Sequence, residues 1–175
     1  MPDITELVKQ LELSPLTGEG GLFRRTWLSP QVISKQALAA PYPEDKPAGS
    51  PILYLVTPQC FSRLHRLPTD EVYHFYLGAP LRLFLIPPEG EPFFVTLGQD
   101  VMGGMQVQYT VPAGYWQGSR LAGGGEWALV GTTMAPAYSD SDYEDAPAAE
   151  LMARYPAFAD EIERLTTKPL FPDIL

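Results

Sequence analysis

The stretch FSRLHRLPTDEVYHFYLG, residues 61–78, decides how this chain is read. It parses as the end of one strand, a Leu67-Pro68-Thr69-Asp70 turn, and a second strand rich in β-branched and aromatic residues. Along the second strand Glu71, Tyr73, Phe75 and Leu77 share one face, and Val72, His74, Tyr76 and Gly78 share the other. Both histidines of the chain, His65 and His74, fall here with Glu71 between them. Imidazole nitrogen and carboxylate oxygen are common ligands of Fe, Mn, Ni and Zn, and the same groups serve as acids and bases without a metal.

Working outward, the same texture continues on both sides. Leu22–Leu28, Ile52–Val56, Leu81–Ile86, Phe93–Leu97, Met105–Val111 and Trp127–Met134 read as further strands, divided by Pro- and Gly-containing turns. Short strands at this spacing predict a mainly β sandwich or barrel. The segment from Ala39 to Pro51 reads as a long Pro-rich loop. Ile4, Leu7, Val8 and Leu11 recur at helical spacing, which predicts an N-terminal helix from about Asp3 to Leu13, with Pro2 and Asp3 at its start and Ser14-Pro15 ending it. Two short helices are expected at about Pro147–Arg154 and Pro156–Leu165. Asp140, Asp142, Glu144, Asp145 and Glu150 read as a solvated acidic loop before them.

Composition narrows the function classes. The 175 residues carry 12 basic and 21 acidic side chains, a net charge of -9, which argues against a phosphate-neutralising nucleic-acid binder. The 19 prolines and 15 glycines favour many short elements joined by turns. The single cysteine, Cys60, cannot form an intramolecular disulfide and reads as a buried structural thiol. No membrane-length apolar run and no secretory pattern is visible, so a soluble cytoplasmic chain of one domain, residues 1–175, is expected.

The quoted stretch resembles the first motif of the cupin superfamily, Gly-x5-His-x-His-x3/4-Glu-x6-Gly. His65 takes the first His place, Glu71 the Glu place and Gly78 the closing Gly, while Leu67 stands in the second His place and Gln59 in the leading Gly place. The second motif, Gly-x5-Pro-x-Gly-x2-His-x3-Asn, is similar at Pro112-Ala-Gly114, with Gln117 in the His place and Leu121 in the Asn place. The pattern is closer still to the cupin family-five-like branch, a domain of unknown function. That likeness runs from Gly20-Gly21 through Asp70-Glu71-Val-Tyr-His74 to Ala135-Pro136, departing at Thr17-Gly18 and Ala137-Tyr138. It implies a double-stranded β-helix (jelly roll) with core residues about 20–136, and the acidic loop and helices of residues 137–175 outside it.

The resemblance implies a pocket with His65, Glu71 and Gln117 innermost and Tyr73 beside them. Arg63, His74 and Tyr115 complete the ligand-binding candidates, with His74 facing outward on strand phase unless a bulge intervenes. Arg63, on the phase of His65, is expected to pair with Glu71 in a metal-free site and, with His65, to make the interior locally basic. Three functions remain open. The first is a binding protein for a small polar, sugar-like or carboxylated ligand. The second is a metal-independent epimerase or isomerase with catalytic candidates His65, Glu71 and Tyr73, in which His65 is the base, its ring oriented by a carboxylate, and Tyr73 the acid. The third is a metalloenzyme, an oxygenase or isomerase, in which His65, Glu71 and Gln117, with His74 or water, hold a weakly bound divalent metal. Trp27, Tyr54 and Tyr76 are expected on an outer aromatic face that supports a homodimer.

Overall fold

The computed structural model describes residues 3–38 and 42–171. Pro2 and residues 39–41 of the expected long loop therefore lie outside it. Helix α1 (Ile4–Gln10) starts at Asp3, whose Oδ1 accepts from the Thr5 and Glu6 amides at 2.9 and 3.3 Å. It ends before Leu13 because Glu12 turns into the left-handed region, φ 53°. The chain then reverses, and strand β1 (Ser14–Pro15) pairs with β2 (Leu22–Arg25) rather than only ending the helix.

The chain continues through β3 (Val32–Ile33), β4 (Lys46–Pro47), β5 (Ser50–Val56), β6 (Ser62–Arg66), β7 (Glu71–Gly78) and β8 (Leu81–Ile86). Then come β9 (Phe93–Leu97), β10 (Gln108–Val111), β11 (Trp116–Leu121), β12 (Ala128–Met134) and β13 (Glu144–Asp145). Helices α2 (Ala148–Arg154) and α3 (Ala159–Thr166) close the described chain. One sheet runs β1-β2-β5-β12-β7-β10 and the other β13-β6-β11-β8-β9, while β3 pairs separately with β4, which lies inside the expected loop. Successive strands switch sheet from β5 through β8 and again from β9 through β12, which winds the chain into the jelly roll. Tyr54, Tyr73, Leu83, Leu85, Val111 and Val130 belong to its buried core, which continues to Ile162 and Leu165 of α3. A smaller cluster fastens α1, with Val8 against Leu22, Leu55 and Trp127.

Two register shifts re-aim side chains. On β6, Ser62 lies opposite Ser119 and His65 opposite Gln117, so three residue steps face two on β11. This bulge brings Ser62 and His65 to one side and leaves Arg63 off their phase. On β7, Phe75 lies opposite Val130 and Leu77 opposite Leu129, leaving Tyr76 as the extra residue. Leu77 is thereby turned off the Glu71 face and is 47% exposed, contrary to simple alternation. Tyr54 is also not an outer-face residue: it is fully buried, its hydroxyl donating to the Gly20 carbonyl at 2.9 Å. Trp27 and Tyr76 do remain exposed.

The acidic segment is less solvated than expected. Asp142 is buried, its carboxylate 2.6 Å from the buried Lys46 ammonium. Among the described residues no helix is long and apolar enough to cross a membrane.

Candidate functional site

A cavity of about 90 Å³ opens into the jelly roll. Leu16, Phe23, Ile52, Leu67 and Met134 give it apolar walls, and Glu19, Ser50, Glu71, Thr132 and Tyr138 are polar groups of its lining, with Arg25 and Asp140. Glu71 is the first residue of β7, and Thr132 lies on the neighbouring β12. Glu19 comes from the β1–β2 turn. That turn is tight because Gly21, at φ 71°, lies where any Cβ would overlap the Tyr54 ring. The turn is fixed further by Ser62, whose hydroxyl donates to Glu19 Oε1 at 2.6 Å, and by the Arg63 amide, which donates to the Glu19 carbonyl at 2.9 Å.

Behind Glu19 and Glu71 sits a second layer from the β6–β11 pair. Gln117 Nε2 donates to Glu71 Oε2 at 2.8 Å, leaving Gln117 Oε1 buried without a partner. His65 Nδ1 lies 2.7 Å from the Arg63 carbonyl, an acceptor only, so Nδ1 carries the proton. His65 Nε2 is then left buried without a hydrogen bond, 4.0 Å from Glu19 Oε2. Tyr143 stacks on the imidazole, ring centres 5.1 Å apart, and fixes its plane. Burial pushes the Glu71 carboxyl above its ordinary range, and the nearby Glu19 charge adds to this; His65, Thr132 and Gln117 act in the opposite sense. Burial and then Glu19 likewise push the Tyr138 hydroxyl up.

The expected residues divide accordingly. His65, Glu71 and Gln117 are brought together, but of these Glu71 alone lines the cavity. Tyr73 is buried in the core beside Glu71, and burial pushes its hydroxyl up. His74 faces the other side of its sheet, between Gln108 at 3.0 Å and Thr133 at 3.3 Å. Tyr115 packs half-buried at the edge of the core. Arg63 does not pair with Glu71: the bulge turns it outward, where its guanidinium meets Asp145 at 3.0 Å and the Gly18 carbonyl at 3.1 Å. The interior is consequently not basic, since Glu19, Glu71 and Asp140 line the cavity against the single cation Arg25. Glu19, Thr132 and Tyr138 were not singled out from the sequence. The available signal for Glu19 was a lone carboxylate inside a glycine turn, Gly18-Glu-Gly-Gly21.

The cupin metal centre of three histidines and a glutamate is not matched by the donors present. Leu67 and Gln117 occupy two of the His places, and among the described residues no three His, Cys, Asp or Glu side chains converge to hold a metal ion.

Comparison with known proteins agrees with this geometry. A family model described as "Cupin superfamily (DUF985)" matches residues 5–146. A hypothetical protein from Leishmania major is 28% identical, with 94% of this chain and 98% of that chain covered at a TM-score of 0.82. A structural-genomics target from Shewanella oneidensis is 30% identical over 95% of this chain and 99% of its own, with a TM-score of 0.81. A mutant of Bacillus subtilis oxalate decarboxylase, 15% identical with a TM-score of 0.51, covers 91% of this chain and 39% of that one, and shows the fold alone. No curated protein matches the chain.

Proposed function

The chain belongs to the cupin superfamily family DUF985, and we propose that its jelly roll serves as a receptacle for a small polar, sugar-like molecule. The observation that carries this reading is the cavity itself: a mainly apolar lining that also carries Glu19, Glu71, Thr132 and Tyr138. Hydroxyl groups of a bound molecule complement carboxyl oxygens and the Thr132 and Tyr138 hydroxyls, while the apolar walls cover its carbon face. A carboxylated ligand is the poorer fit, because three acidic side chains line the same space.

A second reading, isomerisation by proton transfer, draws support from Glu71. A carboxyl whose pKa burial pushes up, beside a second carboxyl, is a candidate general acid next to a potential base. In that reading Glu71 and Glu19 meet the substrate, and His65 orients Glu19 from behind. A metal-dependent reaction is the weakest of the three readings, since among the described residues no three His, Cys, Asp or Glu side chains are grouped to hold a metal ion.

Thermal-shift titration against sugars, amino sugars, nucleotide sugars and keto acids tests the proposal. A sugar-class molecule should raise Tm in the wild type and fail to do so in Thr132→Trp, which fills the cavity. Stabilisation by keto acids alone, or a shift retained in the Trp variant, would overturn it. Recovery of the ligand unchanged in D2O, without deuterium at carbon, separates binding from isomerisation.

The exposed Trp27, Tyr76 and Leu77 also support a homodimer, as cupin sheets commonly pair. Light scattering that returns the monomer mass of 19.3 kDa at micromolar concentration would contradict that part.

A further inference from the structure

The cavity is small for the ligand class proposed. Its volume of about 90 Å³ falls well below the roughly 300–1,000 Å³ of ligand pockets. Beside it runs a surface groove of about 650 Å³, whose lining includes Arg66, Pro68, Gly114 and Glu144. Leu67 lines both spaces, and so does the strap of residues 138–143 that joins β12 to β13. Tyr138 and Asp140 of the strap line the cavity, whereas its Ser141, Asp142 and Tyr143 line the groove.

The strap is held to the body of the protein by few contacts. Its backbone–backbone hydrogen bonds, from the Asp142 amide to the Ser139 carbonyl at 2.9 Å and from the Tyr143 amide to the Asp140 carbonyl at 3.4 Å, stay within it. Among the described residues none of its side chains belongs to the hydrophobic clusters of the core. Its docking is mainly polar: Lys46 of β4 donates to Ser139 Oγ and, at 2.6 Å, to Asp142 Oδ2. Tyr143 adds its stacking on His65. A segment with so few buried apolar contacts opens at lower free energy than the barrel around it. Opening also returns the Asp142 carboxylate to water and uncovers Lys46, which recovers hydration that the buried pair gives up.

We infer that residues 138–143 form a gate, latched by the Lys46–Asp142 pair, whose opening joins the cavity to the groove and admits a molecule of sugar size. The inference rests on the pocket reading above and adds how a ligand larger than the closed cavity reaches Glu71 and Glu19.

Thr132 is 4% exposed and lines the cavity, so a thiol placed there by Thr132→Cys, in a Cys60→Ala background, reports access to it. Labelling by N-ethylmaleimide should run at least tenfold faster than global unfolding permits, as read from hydrogen exchange of the β8 amides. Asp142→Asn, which keeps the shape of the latch and removes its charge, should speed the labelling at least tenfold. Val8→Ala, which loosens the α1 cluster, should leave the labelling unchanged while it lowers global stability. Ser50→Cys, also buried in the lining, repeats the measurement if Thr132→Cys does not fold. Labelling no faster than global unfolding, labelling insensitive to Asp142→Asn, or equal acceleration by Val8→Ala overturns the gate. No ligand takes part, so that failure leaves the pocket reading standing for molecules small enough for the closed cavity. Absence of stabilisation by every sugar removes the pocket reading and leaves the gate.

Discussion

Glu71 shows what a single residue reveals about this site. Its carboxyl is pushed up by burial and by Glu19, while His65, Gln117 and Thr132 pull it down and the buried Tyr73 and half-buried Tyr138 hydroxyls lie nearby. An acid whose folded-state pKa is raised costs no stability below its unfolded value. Stability then falls as pH rises from that value through the folded one. Glu71→Gln should therefore raise Tm by a few degrees at pH 7–8, with the gain shrinking to nothing near pH 4, as thermal denaturation across pH will show. Cys60 gives a second residue-scale prediction. Fully buried, with its thiol pushed up to about 11 by burial, it should resist a thiol reagent at pH 8 in the native protein and react fully in guanidinium. His65, Glu71 and Gln117 were legible because their spacing follows two motifs. Glu19 was not, since what aims it is a contact with Ser62 across 43 positions of sequence.

At the scale of elements, hydrophobic and β-branched runs marked most strands, whereas β11 was hidden. Its Gln117, Gly118, Ser119 and Arg120 do not look like a strand, yet Gln117, Gly118 and Ser119 are buried as polar or small residues facing β6 or packed beneath Leu64 and Leu165. The bulge at Arg63 and Leu64 was equally invisible, and it alone reversed the expected Arg63–Glu71 pairing. Gly78 was read correctly as a turn residue: it takes φ 97°, and a Cβ there would overlap the Trp127 carbonyl. Gly78→Ala should destabilise the fold measurably in urea. The buried Lys46–Asp142 pair holds the 3-10 turn Asp140–Asp142, next to the cavity-lining Tyr138 and Asp140. Removing one partner, as in Asp142→Ala, should cost about 3–5 kcal/mol, while the double replacement Lys46→Met with Asp142→Leu should recover most of it. Equilibrium urea denaturation distinguishes these outcomes.

The whole molecule extends beyond the family match, which ends at residue 146. Helix α3 nevertheless belongs to the core, for Ile162 and Leu165 are fully buried and Leu165 lies against Gly118 on the back of the strand that carries Gln117. Leu165→Ala should cost about 2–5 kcal/mol. If α3 supports the site from behind, the affinity of a molecule found by thermal shift should fall in that variant as well, even at temperatures where it stays folded. The mainly β class was foreseeable from strand spacing, and the jelly roll from the likeness of the motifs to the cupins. The sign of the interior charge was not, because it depends on which way Arg63 leaves the sheet.

The account's central claim is that small molecules enter the jelly roll and rest on Glu19 and Glu71. A crystal structure of the protein soaked with the tightest-binding molecule of the thermal-shift titration tests it most directly. The account predicts ordered ligand inside the cavity, with a polar atom within about 3.2 Å of the Glu71 or Glu19 carboxyl. Ligand ordered elsewhere on the surface, with the cavity holding solvent alone, would contradict it.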